Sequence, residues 1–278
     1  MGRLTYFLGL HIQYKSNGSL FINQSKYAEK LINKVGMSLC KPALTPSKPH
    51  TQLLTSEGTV MEDPTLYRSI VGALQHLTFT RPDIAHAVNV VCQYMTKLTD
   101  AHFFLVNRIL RYVQGTIDCA LTYTPSPNIN ILAFSYASWA ADINTTRSIS
   151  GYVVYVGNNH VSWKSKKQAS VSRSSTEAKY KALAHCTANV CWIRNHPLAL
   201  LCDNLSTLAL SSNSVFHSRI KHLDTDYHFV RERVQNRDIT VHYVLTDSQV
   251  VDILTKGLHS PLFIKQGYNL RLENPSGY

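Results

Sequence analysis

Three short stretches carry acids on element types that could mount them together: Ser174-Ser175-Thr176-Glu177-Ala178, Cys202-Asp203-Asn204 and Gln249-Val250-Val251-Asp252-Ile253. Two-metal phosphoryl hydrolysis needs carboxylates converging from different elements, because two Mg²⁺ ions roughly 4 Å apart clamp the attacking and leaving oxygens. Strand ends and helix starts are rigid mounts for such groups. Glu177 falls in a first helical turn, where the macrodipole favours its ionised form. Asp203 ends an apolar strand, and Asp252 lies in a helix that follows another. Each acid also has a plain structural reading. Glu177 is the reciprocal partner of Ser174 in a capping box, Asp203 an N-cap, and Asp252 a solvated helix residue.

The elements that must position these acids are legible from periodicity. Around them, Leu132, Phe134 and Tyr136 share one face of a strand, Gly151 to Val156 is a β-branched and aromatic run, and Val161 to Trp163 follows the turn Gly157-Asn158-Asn159, giving an antiparallel meander. Ser174 opens an Ala-rich helix to about Arg194. A strand from Leu198 to Cys202, helices to about Ser211 and over Leu223 to Val234, a strand from Ile239 to Val244 and a helix opening near Asp247 complete the order βββαβααβα, a mixed sheet with helices on its faces. Upstream, Tyr6, Leu8, Leu10 and Ile12 alternate, Asn17-Gly18 turns, and Leu20 and Ile22 resume the pattern, so a hairpin is expected. A helix follows with Ser25 as its cap and Gly36 as its stop. The stretch from Pro42 to Thr59 has no period and reads as a linker. Helices opened by Asp63-Pro64, Pro82-Asp83 and Thr99-Asp100 should pack as a small helical unit.

Composition bounds the function. The 278 residues are enough for a full core and a smaller partner region. Lys and Arg number 28 against 17 Asp and Glu, a net charge of +11 that attracts polyanions. No apolar run approaches the ~20 residues of a membrane span, and the Met1 end lacks the order of a signal peptide, so neither a membrane nor secretion is expected. The six cysteines form no paired motif and read as reduced thiols of an intracellular protein, placed in a cytoplasmic particle or the nucleus.

Taken in order, the motifs resemble the C-terminal part of a copia-type retrotransposon Pol polyprotein. The resemblance runs from Tyr6-Phe7-Leu8-Gly9 through Tyr67-Arg68-Ser69-Ile70-Val71-Gly72, Arg81-Pro82-Asp83-Ile84 and Arg108-Ile109-Leu110-Arg111-Tyr112-Val113-Gln114-Gly115-Thr116. It continues through Arg147-Ser148-Ile149-Ser150-Gly151-Tyr152, Trp163-Lys164-Ser165-Lys166-Lys167-Gln168 and His217-Ser218-Arg219-Ile220-Lys221-His222-Leu223-Asp224. It implies a reverse transcriptase tail and linker over 1–60, a helical connection over 61–127, a ribonuclease H-like domain over 128–265 and a tail over 266–278. The implied fold class is α/β, a mixed five-stranded sheet with flanking helices, preceded by the connection unit and a hairpin-helix segment. The implied chemistry is hydrolysis of the RNA strand of an RNA:DNA hybrid, with Glu177, Asp203 and Asp252 as catalytic residues holding two Mg²⁺ ions. The paired-aspartate polymerase motif that the family carries upstream is absent, so no polymerase activity is expected, and the missing reverse transcriptase region is a candidate partner.

The chain departs from the family in its first catalytic strand. Where the family reads Asp-x-Asp-Trp, Tyr136 and Ser138 stand before Trp139. The resemblance implies that the lost Asp bridges both ions; a neutral phenol with a pKa near 10 is a poor Mg²⁺ ligand and fills the space of the ion. Asp142 is a candidate substitute, but it lies past the strand end and reaches back only if the backbone folds over. A shortened connection between Trp192 and Cys202 also bears on the strand that carries Asp203.

Arg147, Lys164, Lys166, Lys167 and Arg173 lie on or beside the meander near Trp139 and Trp163, a combination that suits a nucleic-acid backbone or a solvated turn. His217, Arg219, Lys221, His222 and His228 form a second basic cluster. Zinc on His222 and His228 is disfavoured because their separation does not share a helix face. Three readings stay open: a hybrid-binding ribonuclease H-like domain whose hydrolysis is lost or crippled, a ribonuclease H that remains active, and a transposon remnant with no role.

Overall fold

The computed structural model describes residues 3–193, 198–212 and 224–273. The chain divides into two compact units: one holds the residues up to Pro125 and those from Gly257 on, the other Ser126–Lys256.

In the first unit, β1 (Tyr6–Phe7), β2 (Leu10–Tyr14) and β3 (Leu20–Asn23) pair antiparallel. The β2–β3 hairpin turns where expected, with Gly18 at φ +81°, a backbone conformation that costs glycine nothing. Helix α1 (Ser25–Lys34) begins one residue earlier than a Ser25 cap requires. Gln24 is its N-cap, and the Ser25 amide donates to Asn23 Oδ1 at 3.3 Å. Helices α2 (Thr65–Leu77), α3 (Ala85–Cys92) and α4 (Asp100–Gly115) match the three proline and acid start signals.

Arg81 and Asp83, both almost fully buried, form an ion pair at 2.8 Å. Tyr112 donates to Asp83 at 2.6 Å, and Arg81 donates to the Thr116 carbonyl at 2.8 Å. Satisfying every buried charge in this way ties the start of α3 to the end of α4. The unit also contains two strands that periodicity did not reveal: β4 (Ala120–Tyr123) pairs with β3, and its other edge takes a strand from the chain's far end.

The second unit begins with β5 (Ile131–Ser138), β6 (Ile149–Val156) and β7 (Asn159–Lys167), followed by α5 (Ser175–Ile193), β8 (Leu198–Cys202), α6 (Leu205–Ser212), α7 (Asp224–Gln235), β9 (Ile239–Tyr243) and the single turn α8 (Asp252–Thr255). This is the mixed five-stranded sheet expected. Its order is β7-β6-β5-β8-β9, antiparallel on the β6 side of β5 and parallel on the β8 side.

Along β5 burial alternates strictly, with Ile131, Ala133, Ser135 and Ala137 buried and the residues between them half-exposed. The buried face packs on Ala178, Tyr180, Ala182, Leu183 and Ala184 of α5, whose small residues let helix and sheet approach closely. Opposite Tyr136 in the register stands Gly151. A Cβ there would lie 2.8 Å from the side chains of Val251 and Thr255, so glycine is what lets α8 sit against β6 and brings Asp252 to the sheet. The last helix is shorter than read from sequence: a 3-10 turn covers Thr246–Ser248, and α8 opens at Asp252 itself.

After Lys256 the chain returns to the first unit through α9 (Ser260–Asn269) and β10 (Leu272–Glu273), which pairs with β4. Segment 1–60 and all but the last two residues of 61–127 thus share a unit with the stretch from Gly257 on. The sheet unit closes at Lys256 rather than near 265.

His86 on α3 is buried, its Nδ1 lacks a hydrogen-bond partner, and burial pushes its pKa down to about 4. The fold therefore binds the neutral ring, while the unfolded chain takes up a proton near pH 6.5. Stability of the first unit is expected to be full above pH 6.5 and to decline on the order of 3 kcal/mol as the pH falls from 6.5 towards 4. Denaturant unfolding of the natural chain and His86→Leu across that range checks it: the variant should lose most of this slope.

Candidate active site

The site lies where β5 and β8 part. Their parallel pairing ends at Phe134 and Leu201, so Tyr136 projects beyond the last shared rung and Asp203 follows directly on β8. Clefts at the carboxyl ends of parallel strands, beside a change in strand direction, are where α/β sheets leave room for ligands. Asp252 enters the same cleft from α8.

Two lysines that sequence reasoning passed over occupy the space between these groups. Lys179, on α5, pairs with Asp203 Oδ1 at 3.0 Å, and its ammonium lies 4.8 Å from the centre of the Tyr136 ring. Lys256 pairs with Asp252 Oδ2 at 2.9 Å and lies 5.2 Å from the same ring. A phenol ring thus carries two ammonium groups, each bound to a carboxylate. The negative face of the π system attracts both. Burial, and then the charges of Asp252 and Asp203, push the Tyr136 hydroxyl up to about 12, so it stays protonated. Burial likewise raises the Asp252 carboxyl, with Lys256 opposing and Asp203 adding to the rise. Its Oδ1 is buried without a hydrogen-bond partner.

Glu177 takes up half of the expected capping box, its side chain accepting from the amide of Arg173. Its amide donates to Ser174 Oγ at 3.1 Å, Oε2 accepts from the Arg173 amide at 2.9 Å, and Oε1 pairs with Lys181 at 2.8 Å. Asp203 is not the cap of α6; Asn204 is, accepting from the Thr207 amide at 2.8 Å. Among the described residues no three His, Cys, Asp or Glu side chains converge in a way that could hold a metal ion.

Asp142 is engaged in the β5–β6 turn, accepting from the Thr145 hydroxyl and from the Asn144 amide at 3.1 Å, and pairing with Lys167 at 2.9 Å. That turn holds Ala140 and Thr146 at φ +49° and +53°, a region costly for a β-branched residue, which explains why a buried acid is devoted to it. The residues present do not fit a pair of Mg²⁺ ions: a phenol stands at the first position, and the acids on either side of it are already neutralised by lysines.

The basic residues divide between faces. Lys164 and Lys166 lie with Ser150, Tyr152, His185 and Asn189 around a cavity of about 280 Å³ on the α5 side of the sheet, the face opposite to Tyr136 and Gly151. Lys167 is engaged by Asp142. Arg147 is half-buried in the β5–β6 turn and Arg173 is exposed just before α5. His217, Arg219, Lys221 and His222 lie outside the described residues. Trp139 donates to the Ser172 carbonyl at 2.9 Å, and Gln168 bridges Ser150 and the Ala178 carbonyl at 2.8 and 2.9 Å. These bonds hold the β7–α5 connection in place.

No family model matches the chain. It is 41% identical over 270 residues to the retrovirus-related Pol polyprotein from transposon RE2 of Arabidopsis thaliana, a match covering 94% of this chain and 18% of that one. The Pol polyprotein from transposon TNT 1-94 of Nicotiana tabacum is 32% identical over 275 residues, 92% of this chain and 20% of that one. Among solved structures, ribonuclease H1 from the archaeon Halobacterium salinarum resembles 45% of this chain over 94% of its own, at 15% identity and a TM-score of 0.34. The chain belongs to the retrovirus-related Pol polyproteins of copia-type transposons. It spans about a fifth of the length of those it matches.

Lys179 and Asp203 are both largely shielded, at 14% and 3% exposure. Removing one member of such a pair strands the other, so Lys179→Met should lower stability by about 3 kcal/mol. Lys256 is itself more exposed, at 37%, but its partner Asp252 is shielded at 6%, so its replacement by Met should also destabilise, by a smaller amount of about 2 kcal/mol. Urea unfolding of the two variants measures the contrast.

Proposed function

We propose that Ser126–Lys256 is a ribonuclease H-like nucleic-acid-binding domain that holds an RNA:DNA hybrid by its backbone and no longer hydrolyses the RNA strand. Membership of the Pol family and the mixed five-stranded sheet support the domain class. The observation that carries the loss of hydrolysis is Tyr136: a protonated phenol, ringed by Lys179 and Lys256, stands where a bridging carboxylate is needed. Neither phenol nor ammonium is a ligand for Mg²⁺, which takes hard anionic or carbonyl oxygens at short range.

Binding needs no metal. Arg147 and Arg173 flank the start of α5 and the β5–β6 turn, and cationic side chains there neutralise phosphates whatever the base sequence. The net charge of +11 adds a general attraction for a polyanion. The reverse transcriptase region of a longer polyprotein would supply the rest of the substrate channel.

A labelled hybrid tests the reading. The natural chain should bind it in chelator and leave the RNA strand intact with either Mg²⁺ or Mn²⁺. Arg147→Ala with Arg173→Ala should weaken binding about tenfold at low salt and reduce the salt slope by about two. Efficient cutting by the natural chain would show an active ribonuclease H instead, and no binding at any salt would leave the domain without this role.

A further inference from the structure

The lysine contacts carry a consequence beyond the lost acid. We propose that Lys179 is the resident cation of this site: its ammonium holds the Asp203 carboxylate that a divalent ion would have to share, so the cleft excludes divalent cations even when an acid is returned to position 136. The proposal rests on the functional reading above for the location of the site, but not on hybrid binding.

Three observations support it. Lys179 makes two favourable contacts at once, the ion pair at 3.0 Å and the approach to the Tyr136 ring at 4.8 Å. It is anchored on a long helix whose other face is packed into the core, with Ala178, Tyr180 and Ala182 on either side of it buried, so its stem starts from a fixed point. Both partners are shielded from water, and an ion pair is screened least where solvent is excluded. Lys256 differs on the last point in its own side chain, which is 37% exposed although Asp252 is shielded at 6%, so its ammonium reaches solvent more readily than that of Lys179. Of the two ammonium groups, Lys179 is therefore the one that decides whether a metal ion can enter. A carboxylate at position 136 without other change would find an ammonium already within reach and would pair with it.

Mn²⁺ alone is the probe, followed by loss of the free-ion electron paramagnetic resonance signal. The chains compared are Tyr136→Asp with Ser138→Asp, the same pair with Lys179→Gln, and the same pair with Lys256→Gln, each checked for cooperative unfolding. Adding Lys179→Gln should tighten Mn²⁺ binding at least tenfold over the double variant, and Lys256→Gln should tighten it by less. A double variant that binds Mn²⁺ as tightly as the Lys179→Gln triple, or a folded Lys179→Gln triple with no gain, overturns the proposal. Should that triple fail to fold, acetylation of the natural chain decides. Lys179 should react more slowly than Lys256 and stay as slow in millimolar Mn²⁺, whereas acceleration by Mn²⁺ would mean the ion displaces it and the proposal fails. Hybrid binding in chelator reports on the functional reading alone, so the two can fail separately.

Discussion

β5 pairs with β6 along all eight of its residues but with β8 only from Ile131 to Phe134. That unequal pairing is what the rest of the site depends on. Past Phe134 the sheet opens on one side, and the side chain at 136 projects into the gap while its backbone is still held rigidly by Gly151. The same gap receives Asp203 from the end of β8 and Asp252 from α8, which Gly151 admits by having no Cβ. Whatever residue stands at 136 must therefore meet two carboxylates in a poorly hydrated cleft, and their charge requires compensation.

In this chain the compensation is internal. A site built around a carboxylate at 136 would bring a further negative charge to the cleft and need cations from solution. With a neutral phenol there, two ammonium groups and two carboxylates balance, and the ring gives both ammoniums a favourable surface. The arrangement balances its own charges from side chains of this chain. Glu177 illustrates the same point from the other side: it is retained, but its bonds to Arg173 and Lys181 make it useful to α5 whether or not any chemistry occurs.

Much of this was legible beforehand. Period-two and helical patterns located β5 to β9 and the helices between them, because each is long enough for its buried face to repeat, and Asn17-Gly18 and Gly36 marked turns through backbone requirements that are purely local. β4 and β10 escaped notice because strands of four and two residues carry too little pattern, and what makes them strands is a partner about 150 residues away. The cap at Ser174 was read correctly in its Oγ half, with the Glu177 side chain turning to the Arg173 amide instead of closing the box, whereas Asp203 and Ser25 were each offered as caps that a neighbouring residue or the backbone supplies instead.

The sequence by itself determined the family, the mixed sheet and the presence of Tyr136 with Asp203 and Asp252, since these depend on residue type and local order. Only the tertiary structure decided which cations compensate Asp203 and Asp252. Lys256 lies four residues after Asp252, at the end of the same helical turn, but Lys179 is 24 residues before its partner Asp203 and reaches it only because α5 lies against β5 beside β8. Electrostatic partners chosen through space leave no spacing to read along a chain.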